Sequence, residues 1–348
     1  MSYDLLSMSL AELEDFVLSL GEAKYRAKQI FTAMHRGVPV EEMSNLSRPL
    51  REKIAAVTEW RLPQVSRKLV SRLDGTVKYL FELIDGECIE SVFMRYEHGN
   101  TLCISSQVGC RMGCRFCAST LAGKVRDLTP SEMLGQIIAA QVDTGERISN
   151  VVMMGIGEPL DNYDNAVKFL RLVSAPDGLN IGLRHVSLST CGVVPKIDRL
   201  AEEDLPITLS ISLHASDNDT RSAIMPVNRS YPIEALLSSC KRYFDKTGRR
   251  ISFEYTLIRD KNDDVPGAER LAAVLKRHVG RVCHVNLIPL NEVSETGLRA
   301  PTRENVRRFC EVLEKNGINA TVRRRLGSDI NASCGQLRRS QQKQGDQA

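Results

Sequence analysis

The chain has 348 residues, of which 42% are apolar and 26% charged, a composition typical of a globular protein with one barrel-sized domain plus additions, or with two domains. Its formal net charge of +4 permits nucleic-acid binding without indicating it. No run of about 18 apolar residues is present, which argues against a membrane span. The N-terminus lacks the basic and then apolar pattern of a signal peptide, so we expect a cytoplasmic protein.

Three amphipathic helices are predicted in the first 62 residues. Ser9 and Glu12 form a capping-box pattern ahead of the first apolar stripe, and Gly21 follows it as a stop signal. Similar stripes follow in residues 23–35 and after Ser47. We therefore predict an N-terminal helical module at residues 1–62.

Short strands come next along the chain. Asp-Gly and Gly-Asn turn pairs separate them, which predicts a β-hairpin extension at residues 63–95. The predicted strands of this region and the first strand of the following core are residues 68–73, 76–84, 88–96 and 101–106.

From residue 96 onward apolar strands alternate with helical patterns, which predicts right-handed crossovers and a parallel sheet. The fold class expected is therefore α/β, a partial six-stranded (β/α)6 barrel at residues 96–325. Residues 326–348 form a C-terminal segment with a polar tail that we expect to be disordered. Active sites of such sheets lie at the carboxyl ends of the strands. The six predicted strands are residues 101–106, 150–154, 185–189, 207–213, 251–257 and 282–288.

Three cysteines follow the first of these strands with the spacing C-x3-C-x2-C. Three thiolates from one short loop can hold three irons of a [4Fe-4S] cluster and leave the fourth iron open for a substrate. A zinc site is the alternative, although zinc generally takes four ligands in paired C-x2-C form. The spacing resembles the signature of the radical S-adenosylmethionine (SAM) superfamily, and the cysteines are Cys110, Cys114 and Cys117.

That resemblance implies two cofactors, the cluster and SAM. Gly157 and Glu158, in a Gly-Glu-Pro turn after the second strand, match the edge that contacts the SAM amino group in the superfamily. Further polar or turn residues stand at successive strand ends and are expected to face the same site. These predicted cofactor-binding residues are Ser189, Ser212, Leu213, His214 and Asn291.

Over essentially its whole length the chain resembles the bacterial dual-specificity ribosomal RNA and transfer RNA adenine-C2 methyltransferases. The resemblance rests on residues 103–110, 155–159, 212–214, 285–291 and 334–337. A related resistance-type family methylates carbon 8 of the same adenine and typically has alanine after the Gly-Glu pair. Pro159 stands there in this chain and favours carbon 2.

The family resemblance also implies a mechanism and three catalytic residues. Cys334 would carry a methyl group taken from one SAM, a second SAM would supply the radical that activates it, and Glu90 would accept the proton from carbon 2. Cys103 would then attack the Cys334 sulfur and release the product, which leaves a transient disulfide. The remaining cysteines are expected to be buried packing residues.

The resemblance further implies two RNA substrates, 23S rRNA methylated in the peptidyl transferase centre and tRNA methylated in the anticodon loop, with the helical module at residues 1–62 binding RNA. It also implies a cytosolic electron donor such as flavodoxin, and a monomeric protein. Two other readings stay open at this point. One is a different radical SAM reaction, including carbon 8 methylation, and the other is a non-enzymatic RNA-binding module with a structural metal.

Overall fold

The structure is a computed structural model that describes residues 2–58, 62–280, 283–330 and 332. Within them the helices are α1 Leu10–Ser19, α2 Tyr25–His35, α3 Arg48–Val57, α4 Pro130–Thr144, α5 Tyr163–Val173, α6 Val194–Leu200, α7 Asn218–Ile224, α8 Ile233–Thr247, α9 Val265–His278 and α10 Arg303–Lys315. The strands are β1 Gln64–Val70, β2 Val77–Glu82, β3 Cys88–Met94, β4 Thr101–Cys103, β5 Gln107–Gly109, β6 Lys124–Asp127, β7 Asn150–Met153, β8 Val186–Thr190, β9 Thr208–Ser212, β10 Ile251–Leu257, β11 His284–Pro289 and β12 Asn319–Val322.

The three predicted N-terminal helices are present as α1, α2 and α3. The capping box at α1 has both of its hydrogen bonds: the Glu12 amide donates to Ser9 Oγ, and the Ser9 amide donates to the Glu12 carboxylate. At α3 the Ser47 hydroxyl accepts from the Leu50 amide, without the reciprocal side-chain bond. The apolar faces of these helices bury Leu13, Ile30 and Ile54 in the same hydrophobic core that fills the rest of the chain. Packing, rather than intrinsic propensity, therefore holds these short helices in place.

One continuous sheet of ten strands organises the described residues, in the order β1-β2-β3-β4-β7-β8-β9-β10-β11-β12. The strands from β1 to β4 are antiparallel, and those from β4 to β12 are parallel. The six predicted parallel strands are confirmed, and β12 adds a further one that the sequence analysis did not predict. The hairpin extension joins this sheet directly, because β3 pairs with β4.

A small hairpin made of β5 and β6 forms a separate two-stranded sheet beside the main one. Its strands were not predicted, because three or four residues are too few to show a periodic pattern. The hairpin matters for the site, since the loop with the three cysteines lies between its strands. Of the ten helices within the described residues, none combines the length and apolar character that a membrane crossing requires.

Candidate active site

The loop at residues 110–117, called the cysteine loop below, is held by backbone hydrogen bonds at both ends. The Cys110 amide donates to the Gly123 carbonyl at 2.9 Å, and the Arg115 amide donates to the Ile224 carbonyl at 2.9 Å. The Thr120 hydroxyl lies 3.0 Å from the carbonyl oxygens of the second and third cysteines. These contacts give the loop one backbone conformation, so the three thiols keep a defined arrangement.

Burial and mutual repulsion disfavour thiolates in the cysteine loop of the metal-free chain. Burial raises the pKa of Cys110 to about 12, and the charge of Cys117 acts in the same direction. The pKa of Cys114 is also raised well above its usual range by burial and by the other two cysteines. Thiolates in such a place need a cationic group to neutralise them, and iron supplies it. The donor set therefore fits an iron-sulfur cluster.

Across the described ranges, no three Cys, His, Asp or Glu side chains converge closely enough to hold one metal ion. A cubane cluster presents its irons at separate corners, so its thiolates need not share one centre.

A cavity of about 220 Å³, called the cysteine cavity below, opens beside this loop. It lies at the carboxyl ends of β7, β8 and β9, where active sites of parallel sheets are found. Most of the predicted metal and cofactor residues line it together: Cys110, Cys114, Cys117, Gly157, Glu158, Ser189, Ser212 and His214.

Two predicted cofactor-binding side chains are elsewhere. Leu213 is fully buried in the hydrophobic core, and its backbone amide donates to the Glu254 carbonyl. It can shape the strand end but does not line the cavity. Asn291 lines a second, neighbouring cavity, where its Oδ1 accepts two hydrogen bonds from Arg325 at 3.0 and 3.2 Å.

Glu158 is a buried carboxylate held by main-chain amides. Its Oε2 accepts from the Cys191 amide at 2.7 Å and its Oε1 from the Leu160 amide at 3.0 Å. Burial raises the pKa of Glu158 above its usual value, while these amides act in the opposite direction. The preceding Gly157 has φ +110°, and a Cβ there would lie 2.6 Å from Gln107 Cβ. Only glycine fits this turn, because the chain passes too close to β5.

His214 is buried beside the cysteine loop with a left-handed backbone, φ +56°. Its Nδ1 accepts from the Thr256 amide at 2.8 Å. A backbone amide can only donate, so Nδ1 is unprotonated and the neutral ring carries its proton on Nε2. Burial lowers the pKa of His214 to about 3, so the ring stays neutral at physiological pH. Its ring meets Phe116 of the cysteine loop edge-on, at 4.9 Å between centroids.

Sequence reasoning missed two charged residues of the cysteine cavity, Glu254 and Arg323. Glu254 is buried in β10 and accepts from Asn286 Nδ2 at 2.7 Å and from the Ser252 hydroxyl at 3.0 Å. Burial raises its pKa, and the Arg323 charge opposes that rise. A glutamate inside the apolar run 251–258 was the available signal, because an unpaired buried carboxylate is costly.

The second cavity, called the Cys103 cavity below, has a volume of about 530 Å³. Cys103, at the end of β4, lines it together with Val92, its register partner on β3. Three consecutive arginines, Arg323, Arg324 and Arg325, line the same cavity. Three residues line both cavities, which are therefore adjacent: Met154, Ile288 and Arg323.

Glu90 is fully buried on β3, two residues before Val92. Its Oε2 lies 3.0 Å from Lys78 Nζ of β2. Glu90, Val92 and Met94 alternate with residues that face α4 and the core, so all three point to the side of the sheet that holds the Cys103 cavity. Cys334, the third predicted catalytic residue, lies outside the described residues.

Comparisons with known proteins agree with this geometry. Residues 104–272 match the family model "Radical SAM superfamily", and residues 3–59 match "Ribosomal RNA large subunit methyltransferase N-terminal domain". The chain is 51% identical to the "Probable dual-specificity RNA methyltransferase RlmN" of Clostridium acetobutylicum, over 97% of both chains. The chain belongs to the RlmN family. The RlmN relative of Alkaliphilus oremlandii is 52% identical, again over 97% of both chains.

A solved structure of the same kind supports the fold. The radical SAM methyltransferase from Sphaerobacter thermophilus superposes with a TM-score of 0.91 at 42% identity, covering 97% of this chain and 98% of that one. As a member of the RlmN family and the radical SAM superfamily, this chain is an enzyme whose cofactors are a [4Fe-4S] cluster and SAM. Membership of this superfamily sets the zinc alternative aside.

Proposed function

We propose that this RlmN-family enzyme methylates carbon 2 of an adenosine in 23S rRNA, and in tRNA as well, by way of a methylated cysteine. The observation that carries the proposal is the adjacency of the two cavities. One is lined by the three cysteines of the cysteine loop, and the other by Cys103 and three consecutive arginines. This arrangement suits an RNA base that enters the Cys103 cavity, past its arginines, and so approaches the cysteine cavity.

The cofactors are assigned as follows. Cys110, Cys114 and Cys117 hold the cluster, and the main chain and carboxylate around Gly157 and Glu158 receive the SAM amino group. Ser189, Ser212 and neutral His214 supply further polar contacts in the same cavity. When bound, the cluster and SAM supply a deoxyadenosyl radical, which can take hydrogen from an unactivated methyl group. Leu213 acts only through the backbone, and Asn291 lies at the boundary of the neighbouring cavity.

Three residues of the chain would handle the methyl group and the base. The Cys334 sulfur accepts the methyl group, Glu90 takes the proton from carbon 2, and the Cys103 thiolate breaks the bond between Cys334 and the product by forming a disulfide. Cys103 lines its cavity beside Val92, and Ala332, two residues before Cys334 in the sequence, lines the same cavity. These placements support the proposal that both cysteines react in the Cys103 cavity.

Binding of RNA would use the arginine-lined mouth of the Cys103 cavity. Arg323, Arg324 and Arg325 line it, and guanidinium groups suit phosphate contacts. We propose that the N-terminal helices, in the region that matches a ribosomal RNA methyltransferase domain, also contact the RNA. We further propose a cytoplasmic monomer, an electron donor such as flavodoxin, and the division at residues 1–62, 63–95, 96–325 and 326–348, with two SAM molecules used per turnover.

The test of this proposal is the nucleoside profile of RNA after incubation with the reconstituted enzyme, SAM and a reductant. We expect 2-methyladenosine by mass spectrometry, with separate reactions on ribosomal RNA and tRNA fragments. Methylation at carbon 8, or no methylated adenosine in either RNA, would contradict the proposal.

The two-cysteine assignment has its own test. Cys103→Ala should accumulate RNA attached covalently to the protein, seen as a ribonuclease-sensitive band on a denaturing gel, because no thiolate resolves the adduct. Cys334→Ala should form no adduct, and Cys240→Ala, a fully buried core cysteine, is the matched control. Normal turnover of Cys103→Ala without an adduct would refute its assignment.

A further inference from the structure

Lys78 and Glu90 form an ion pair that is fully removed from solvent. The Lys78 Nζ lies 3.0 Å from Glu90 Oε2, and neither side chain has any exposed surface. The pair between Lys68 and Asp143, also at the β1–β2 edge of the sheet, differs in this respect, with side chains 37% and 25% exposed. Lys78 stands in the otherwise apolar core of β2, where a buried lysine is rare without a specific partner.

Both residues of the pair point to the side of the sheet that holds the Cys103 cavity, and away from the main hydrophobic core. On β2 the alternate residues Val77, Tyr79 and Phe81 belong to the hydrophobic core, which leaves Lys78 on the opposite face. Lys78 pairs in register with Val92, and Val92 lines the Cys103 cavity. The lysine ammonium therefore lies next to Val92, a lining residue of that cavity, and beside the carboxylate of Glu90.

Stability alone does not account for this pair. Taking two charges out of water costs more than their attraction returns in many proteins, and an apolar pair of similar volume often serves the fold as well or better. Losing only one partner is different, since it leaves an uncompensated charge inside the protein. A buried lysine beside a buried carboxylate is explained when that carboxylate must be held in one place.

We propose that Lys78 is a positioning residue for Glu90: its ammonium group fixes the carboxylate on the face of β3 that borders the Cys103 cavity. The inference rests on the proposed role of Glu90 as the acceptor of the proton from carbon 2. A proton acceptor must be unprotonated and within hydrogen-bond reach of the proton. The Lys78 ammonium, 3.0 Å from the Glu90 carboxylate, supplies a hydrogen-bond donor that keeps the carboxylate in one place without touching the substrate.

The test follows separate stages of the reaction in anaerobically reconstituted full-length enzyme. The readouts are iron content, deoxyadenosine release, methylation of Cys334, covalent RNA adduct and final product. Lys78→Met should lower product formation by about 10²-fold or more, the usual contribution of a positioned general base. Iron content, deoxyadenosine and Cys334 methylation should persist, and the RNA adduct should accumulate as it does in Glu90→Gln.

Two further variants and one control separate this role from a structural one. Lys78→Arg keeps the cation and should recover part of the lost product formation. The double variant Lys78→Met/Glu90→Gln has no buried charge, and it should be no slower than Glu90→Gln alone, because Lys78 acts only through Glu90. Lys68→Met, which removes an exposed cation near the same edge of the sheet, should react like the unmodified enzyme.

Several outcomes overturn the inference. If Lys78→Met loses iron, deoxyadenosine and Cys334 methylation in proportion to product, the lysine is merely structural. The inference also fails if the double variant is clearly slower than Glu90→Gln, or if Lys78→Met turns over normally. If Lys78→Met does not fold, product formation by Lys78→Arg and by the double variant, each compared with that of Glu90→Gln, still tests the inference. Normal turnover of Glu90→Gln without an adduct would instead refute the proposed role of Glu90, and this inference with it.

Discussion

Replacing Gly157 by alanine places a methyl group where the turn after β7 has no room for one. The new Cβ would lie 2.6 Å from Gln107 Cβ and 2.7 Å from Gln107 N, and the residue would have to keep φ +110°. The Gln107 side chain is itself tied down, because its amide donates to Asp127 and Asp161 and its Oε1 accepts from the Glu158 amide. Movement of the turn or of β5 would therefore break these hydrogen bonds.

The magnitude follows from these two causes. Backbone strain at such a φ costs about 1–3 kcal/mol, and overpacking against a fixed neighbour costs about 1–3 kcal/mol more. With an unfolding entropy of roughly 2.1 cal/mol/K per residue, a chain of this length loses about 1.4 °C in its unfolding midpoint per kcal/mol. Gly157→Ala should therefore lower the midpoint by roughly 3–8 °C.

The matched control is Gly248→Ala at the end of α8. Gly248 also has a positive φ, +63°, but no heavy atom lies within 4 Å of the added Cβ. It should show the strain alone, about 1–2 kcal/mol, and bind SAM normally. Gly157→Ala should in addition weaken SAM binding, measured by equilibrium dialysis with the reconstituted enzyme, since it displaces Glu158. Equal midpoints in the two variants, or unchanged SAM affinity of Gly157→Ala, would refute the reasoning.

Three further predictions concern the metal site, the buried histidine and the RNA surface. Alanine at any one cysteine of the cysteine loop should abolish iron loading and deoxyadenosine formation, as measured by iron analysis and chromatography, whereas Cys240→Ala should retain both. Burial lowers the pKa of His214 to about 3. Below about pH 6.5 the unfolded chain therefore binds a proton at this residue that the folded chain does not. The free energy of unfolding should then fall by about 1.4 kcal/mol for each pH unit of acidification. In His214→Asn this part of the slope should vanish in urea unfolding between about pH 6.5 and 5; an unchanged slope would show that the ring titrates normally. Affinity for RNA should fall about tenfold or more over a few-fold rise in salt, and a salt-independent affinity would contradict phosphate binding by the arginines.

Two parts of the site, the cysteine loop and the Gly-Glu-Pro turn, could be predicted from the amino-acid sequence. Their residues are contiguous in the chain, so covalent geometry keeps them together whatever the rest of the fold does. The cysteines Cys110, Cys114 and Cys117 and the pair Gly157 and Glu158 could therefore be assigned to one site from spacing and resemblance, and the structure places all five around one cavity. The six core strands were predictable for a different reason: apolar residues recur along each of them between helical patterns, and strands such as β8 and β11 bury alternate residues.

Contacts between residues far apart in the chain could not be predicted in this way, because they depend on the fold. Strand register brings Lys78 beside Glu90, and Cys103 opposite Val92, and a shift of one residue would have turned each side chain to the other face. The same holds for Arg323, whose place in both cavities depends on β12, a four-residue strand too short to predict. Local sequence patterns indicate which face of a strand is buried, but the pairing that selects the neighbours on that face depends on packing of the whole sheet.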